Sequence, residues 1–148
     1  MHRSAAEVTE ALFEAFPQRV VRGVITPHEC EECSAIRTGL AGLTWRQVPD
    51  AFAGKFAGSL PLLSPDAYNA YLPVWLRAAV NDPNGDAASM IAINLSNEPS
   101  REGFTRSQAE ALIAVVEYVA SNNIWGAEDE CNVERLAAVR ATWSEGVA

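Results

Sequence analysis

The stretch Ser64-Pro65-Asp66-Ala67-Tyr68-Asn69-Ala70-Tyr71-Leu72-Pro73-Val74-Trp75-Leu76-Arg77-Ala78-Ala79-Val80 decides the fold of this chain. Tyr68, Tyr71, Leu72, Trp75, Leu76, Ala79 and Val80 recur three and four residues apart, the spacing that stacks side chains on one face of an α-helix. Ser64 supplies a capping hydroxyl and Pro65 a ring suited to the first turn, where its missing N–H has no helical partner to lose. The aromatic face reads as the buried side of a core helix, with the tyrosine hydroxyls reaching its edge. Pro73 removes one hydrogen bond and crowds the carbonyl of Asn69, so a kink or a break is expected there. Residues 81–85, Asn-Asp-Pro-Asn-Gly, end the helix in a turn.

The same signals recur on either side. Ser4 with Glu7 forms a capping box, and Val8, Leu12, Phe13 and Phe16 follow at helical spacing, which predicts a helix over residues 4–16. Residues 19–25 hold valines around Gly23 and are expected to be extended or irregular. Thr26-Pro27-His28-Glu29 predicts a second helix beginning at Pro27 and fading over residues 39–42. Residues 45–58 read as a folded connector with one short helix, its Trp45, Phe52 and Phe56 plugging the core. Residues 86–95 alternate like a strand through Ile91, Ile93 and Leu95, yet Asp86, Ala87 and Ala88 suit a helix, and the helical neighbours favour helix. Thr105 and Gln108 open a further helix whose Leu112, Val115, Val116 and Val119 form a broad apolar stripe, the expected centre of the core. Residues 128–143 close the chain as a helix. The expectation is an all-α fold, an irregular or orthogonal array of about six helices in one compact domain spanning residues 1–148.

At 148 residues, with 49% hydrophobic and 20% charged side chains, the chain is expected to fold without disulfides. Glu7, Glu10 and Glu14 interrupt the apolar run that a secretory signal needs, and no stretch is long and apolar enough to span a membrane. A cytoplasmic location follows, in which three cysteines are reduced thiols or metal ligands. Nineteen acidic against eleven basic residues give a net charge of −8, which argues against nucleic acid and for a basic or neutral protein partner.

The sharpest local motif is His28-Glu29-Cys30-Glu31-Glu32-Cys33, since thiols three apart on a helix can grip one metal ion. Cys131 follows Glu128-Asp129-Glu130, a second cysteine setting rich in carboxylates. If the last helix packs beside the second, Cys30, Cys33 and Cys131 with His28 or His2 supply a zinc set. Against this, small buried cysteines are ordinary core residues, and no second paired ligand unit is present. A redox pair is opposed by the position of Cys30, about a turn inside the predicted start, and by Glu29, Glu31 and Glu32, which disfavour a thiolate. Nucleophilic catalysis would have only His2 and His28 as bases, and no phosphate loop, metalloprotease helix or dinucleotide fingerprint occurs. No catalytic residue is assigned.

Ile25, His28, Cys30, Glu32 and Cys33, then Trp45, then Leu62-Leu63-Ser64-Pro65 with Ala67, Tyr68, Tyr71, Leu72 and Pro73 carry a resemblance. The pattern is similar to that of an uncharacterised bacterial family, a domain of unknown function with an Ile-x-x-His-x-Cys-x-Glu-Cys start and a later Tyr-Leu-Pro helix. It covers roughly residues 24–80 and, more loosely, 104–118. The resemblance implies a small helical cytoplasmic domain with no assigned activity, and it makes His28, Cys30, Cys33, Tyr71 and Pro73 positions to test. Cys131 lies outside that pattern.

The functional expectation is a non-enzymatic protein-binding module, immunity- or antitoxin-like, that blocks a basic partner by electrostatic steering. Its face would draw on Glu29, Glu31, Glu32, Glu128, Asp129, Glu130 and Tyr71. The alternative is a zinc-binding domain, structural or catalytic, built on Cys30 and Cys33.

Overall fold

A computed structural model describes residues 3–97 and 100–144. Among them run seven α-helices and no strand: α1 (Ala5–Ala15), α2 (Glu31–Leu40), α3 (Asp50–Lys55), α4 (Pro65–Asn81), α5 (Asp86–Ser96), α6 (Arg106–Asn122) and α7 (Glu130–Ser144). Single 3-10 turns at Trp45–Gln47 and Leu60–Leu62 flank α3. The fold is all-α, and α3 within the aromatic connector brings the helices to seven. Residues 86–96 are helical, and no described helix is long and apolar enough to cross a membrane.

The hub is α4, which packs on α1, α3, α5 and α6, whereas the sequence pointed to α6. The reason lies in its sequence. On α4 even Asn69 and Pro73 are buried beside Tyr68, Tyr71, Leu72 and Trp75, so it is enclosed nearly all round, while α6 keeps polar residues such as Glu110 outward. The helix continues through Pro73 without a break. Ser64 caps it by accepting the Ala67 N–H at 3.1 Å.

Polar groups taken into this interior are matched. Asn69 Nδ2 donates to Gln108 Oε1 at 3.2 Å, and Gln108 Nε2 donates to the Ala15 carbonyl at 3.2 Å, which ties α1, α4 and α6 together. Arg19 donates to Asn69 Oδ1 at 3.1 Å. Three of the four tryptophans are buried, and each indole N–H finds a carbonyl at a helix end or loop: Trp45 on Phe16, Trp75 on Phe56 and Trp143 on Leu95, at 3.1, 3.0 and 2.9 Å. A buried indole without such a partner would be a net liability.

Candidate functional site

The cysteine motif lies where residues 24–30 turn into α2. Ser64 fixes the approach: its N–H donates to the Ile25 carbonyl at 2.8 Å and its hydroxyl to the Val24 carbonyl at 2.6 Å. Arg37, two turns into α2, reaches back and donates to Thr26 Oγ1 at 2.7 Å and to the His28 carbonyl at 3.0 Å, and pairs with Glu29 at 3.4 Å. That clamp holds residues 26–29 out of helical geometry, so α2 does not begin at Pro27. It begins at Glu31, with Cys30 as its extended N-cap at φ −142° and ψ 167°.

This places the two thiols differently from their sequence reading. Cys30 is exposed and its Sγ accepts the Cys33 N–H at 3.1 Å, while Cys33 is fully buried, 0% exposed, in the third position of the helix. The sulfurs are 2.6 Å apart, and both cysteines are free. The hydrogen bond with Cys30, burial and the charge of Cys30 together hold the Cys33 thiol above its ordinary range, against a smaller opposing effect of Arg37. Glu32 accepts a hydrogen bond from Ser59 at 3.1 Å, and His28 is exposed, the group it contributes being its carbonyl.

Cys131 stands elsewhere. It lies at the start of α7, which packs on α5 and α6, and it lines a cleft there. Among the described residues no three His, Cys, Asp or Glu side chains gather where they could hold a metal ion, so Cys30, Cys33, Cys131 and His28 do not converge; His2 lies outside the described residues. Tyr71 is 0% exposed, its hydroxyl donating to the Leu43 carbonyl at 2.8 Å and within 3.2 Å of that of Leu40. It is a core strut between α4 and the end of α2 and cannot belong to a partner face. Glu29, Glu31 and Glu32 are exposed near the thiol pair; Glu128 and Glu130 are exposed on either side of Asp129, which is half-buried and lines the cleft together with Arg135.

The cleft is the feature that the sequence reading missed. About 400 Å³ in volume, it is lined by Ile91 and Ala92 of α5, Val116 and Ala120 of α6, and Cys131 and Asn132 of α7. At its edge Ile124 and Trp125 are 76% and 68% exposed. Their loop is tightly braced. Trp125 and Gly126 N–H both donate to Asn123 Oδ1 at 3.1 Å, and Ile124 N–H donates to Asn84 Oδ1 at 2.8 Å. Asn132 is buried, and its Nδ2 sits 2.8 Å from the Gly126 carbonyl and 2.9 Å from Asn123 Oδ1. Gly126 has φ +84°, a left-handed conformation that few side chains tolerate. The one available signal was an apolar pair set between Asn123 and Gly126, in a turn, outside any helical stripe.

Comparison with protein-family models, with curated proteins and with solved structures returned no match to this chain.

Proposed function

We propose that the chain is a cytoplasmic, non-enzymatic protein-binding module whose partner seats an apolar side chain in the cleft beside Trp125 and sets basic residues against the acidic rim. One observation carries this reading: a tryptophan and an isoleucine stand largely in water on a loop whose backbone is pinned by Asn84 and Asn123. A frayed turn would expose them by accident. A braced loop keeps them exposed at little entropic cost on binding, and tryptophan is among the residues enriched at the energetic centres of interfaces. Of the charged residues that line the cleft, Asp129 and Arg135 balance, and the exposed Glu128 and Glu130 that flank Asp129 in the chain add the negative charge that, with the net charge of −8, favours a basic partner. An immunity- or antitoxin-like protein that covers the working face of a basic protein is the form in which such a module would act.

The test compares immobilised wild-type protein with Trp125→Ala and with a Glu128→Gln/Asp129→Asn/Glu130→Gln variant in extracts of the source cell. A basic protein retained at low salt, released by salt and lost in both variants is expected, with their melting temperatures unchanged. Equal retention by wild type and Trp125→Ala would refute the assignment of this face.

A further inference from the structure

We infer that Cys30 and Cys33 form a thiol–disulfide exchange site, with Cys30 as the attacking sulfur and Cys33 as the resolving one, acting on low-molecular-weight disulfides. The site is separate from the cleft and does not rest on the partner-binding reading. The position of Cys30 counted against such chemistry in the sequence, where it was expected inside the helix. Instead it is the N-cap, exposed, with the N–H of the third helical residue directed at its sulfur. An accessible cysteine at a helix start with a buried partner three residues on is the arrangement that lets one thiol meet a substrate and the other wait. The acidic neighbours are also partly engaged, Glu29 by Arg37 and Glu32 by Ser59. The distance argues in the same direction. The two free thiols touch each other at the start of α2, so the sulfur that would resolve a mixed disulfide on Cys30 is already beside it.

The exchange balances in two steps. The Cys30 thiol gives its proton to solvent, and its sulfur attacks one sulfur of R–S–S–R; the R–S–S–R bond breaks, a Cys30–S–S–R bond forms, and R–S⁻ leaves and takes up a proton. Cys33 then loses its proton and attacks the Cys30 sulfur, so that the Cys30–Cys33 bond forms and the second R–S⁻ leaves to be protonated. The protein has given up two electrons and two protons, and R–S–S–R has become two R–SH. Cys33, buried and with its thiol held above its ordinary range, suits the resolving role, and exposed Cys30 the attacking one.

The experiment uses the full chain carrying Cys131→Ser, fully reduced, with glutathione disulfide as the oxidant and intact mass as the readout. A loss of two hydrogens is expected, restored by dithiothreitol, and Cys33→Ser in the same background traps one glutathione on Cys30. Brief alkylation of the folded, reduced protein labels Cys30 on the order of tenfold or more faster than Cys33. Circular dichroism checks that Cys33→Ser is folded; if it is not, the mass of the unsubstituted pair and the alkylation ratio decide. Two thiols left free under conditions that oxidise an unfolded peptide of residues 27–36, or equal alkylation rates, overturn the proposal. So does uptake of one zinc ion that protects both thiols.

Discussion

Asn123 and Asn132 bond to each other in both directions: Asn123 Nδ2 donates to Asn132 Oδ1 at 3.1 Å, and Asn132 Nδ2 lies 2.9 Å from Asn123 Oδ1. The pair joins the end of α6 to the start of α7, and the loop bearing Trp125 hangs from it. Replacing Asn132 by Ala leaves the Asn123 amide and the Gly126 carbonyl without these partners, at a cost of about 2 kcal/mol. Urea unfolding measures the loss, and limited proteolysis should show new cleavage near Trp125. Native stability together with native resistance to protease would mean that the brace is dispensable.

The four tryptophans should separate into two groups. Changing Trp45, Trp75 or Trp143 to Ala removes a buried ring and its hydrogen bond to a carbonyl, for a loss of about 3–5 kcal/mol each. Trp125→Ala should stay within about 0.5 kcal/mol of wild type. Chemical denaturation of the four variants tests this, and a large loss at Trp125 would assign that ring to the core.

Gly39 on α2 faces Phe52, and a Cβ added there would stand 2.4 Å from the Phe52 ring. Gly39→Ala should therefore destabilise by about 1–3 kcal/mol through overpacking. With Phe52→Ala already in place the obstruction is gone, and the same change should stabilise by up to about 1 kcal/mol through helix propensity. A double-mutant cycle reads the reversal of sign; a cost for Gly39→Ala that persists without the ring points to another obstacle.

Glu7 accepts the Ser4 N–H at 3.0 Å within the capping box of α1, and that backbone hydrogen bond, aided by the Ser4 side chain, lowers its carboxyl below the ordinary value of 4.5. A carboxyl lowered on folding contributes stability that is present above its unfolded value and is lost as pH falls through the folded one. The window for this contribution thus lies below about pH 4.5. Glu7→Gln should flatten the fall in stability across that range, as urea unfolding at successive pH values would record. Ser4→Ala should cost about 1 kcal/mol at neutral pH.

How far the sequence could be read depended on whether the deciding interaction was local. The caps at Ser4, Ser64 and Thr105 act over three residues, and all three helices start where the spacing put them. The start of α2 did not, because Arg37 takes the His28 carbonyl from nine residues away and no pattern within residues 26–30 announces that. Tyr71 was legible as a core residue from its place in the α4 stripe, and its burial agrees with that over a place on the surface. The cleft was illegible because it needs α5, α6 and α7 assembled, and because Asn123 and Asn132 belong to different elements.

The unequal placement of the tryptophans makes the protein its own optical instrument. Three indoles are sealed from water and one stands in it, so a soluble quencher such as acrylamide reaches chiefly the red-shifted emission of Trp125. The blue-shifted remainder reports whether the interior is intact. Occupation of the cleft can thus be followed by shielding of one emitter against an internal standard of three, with no dye attached and no residue changed.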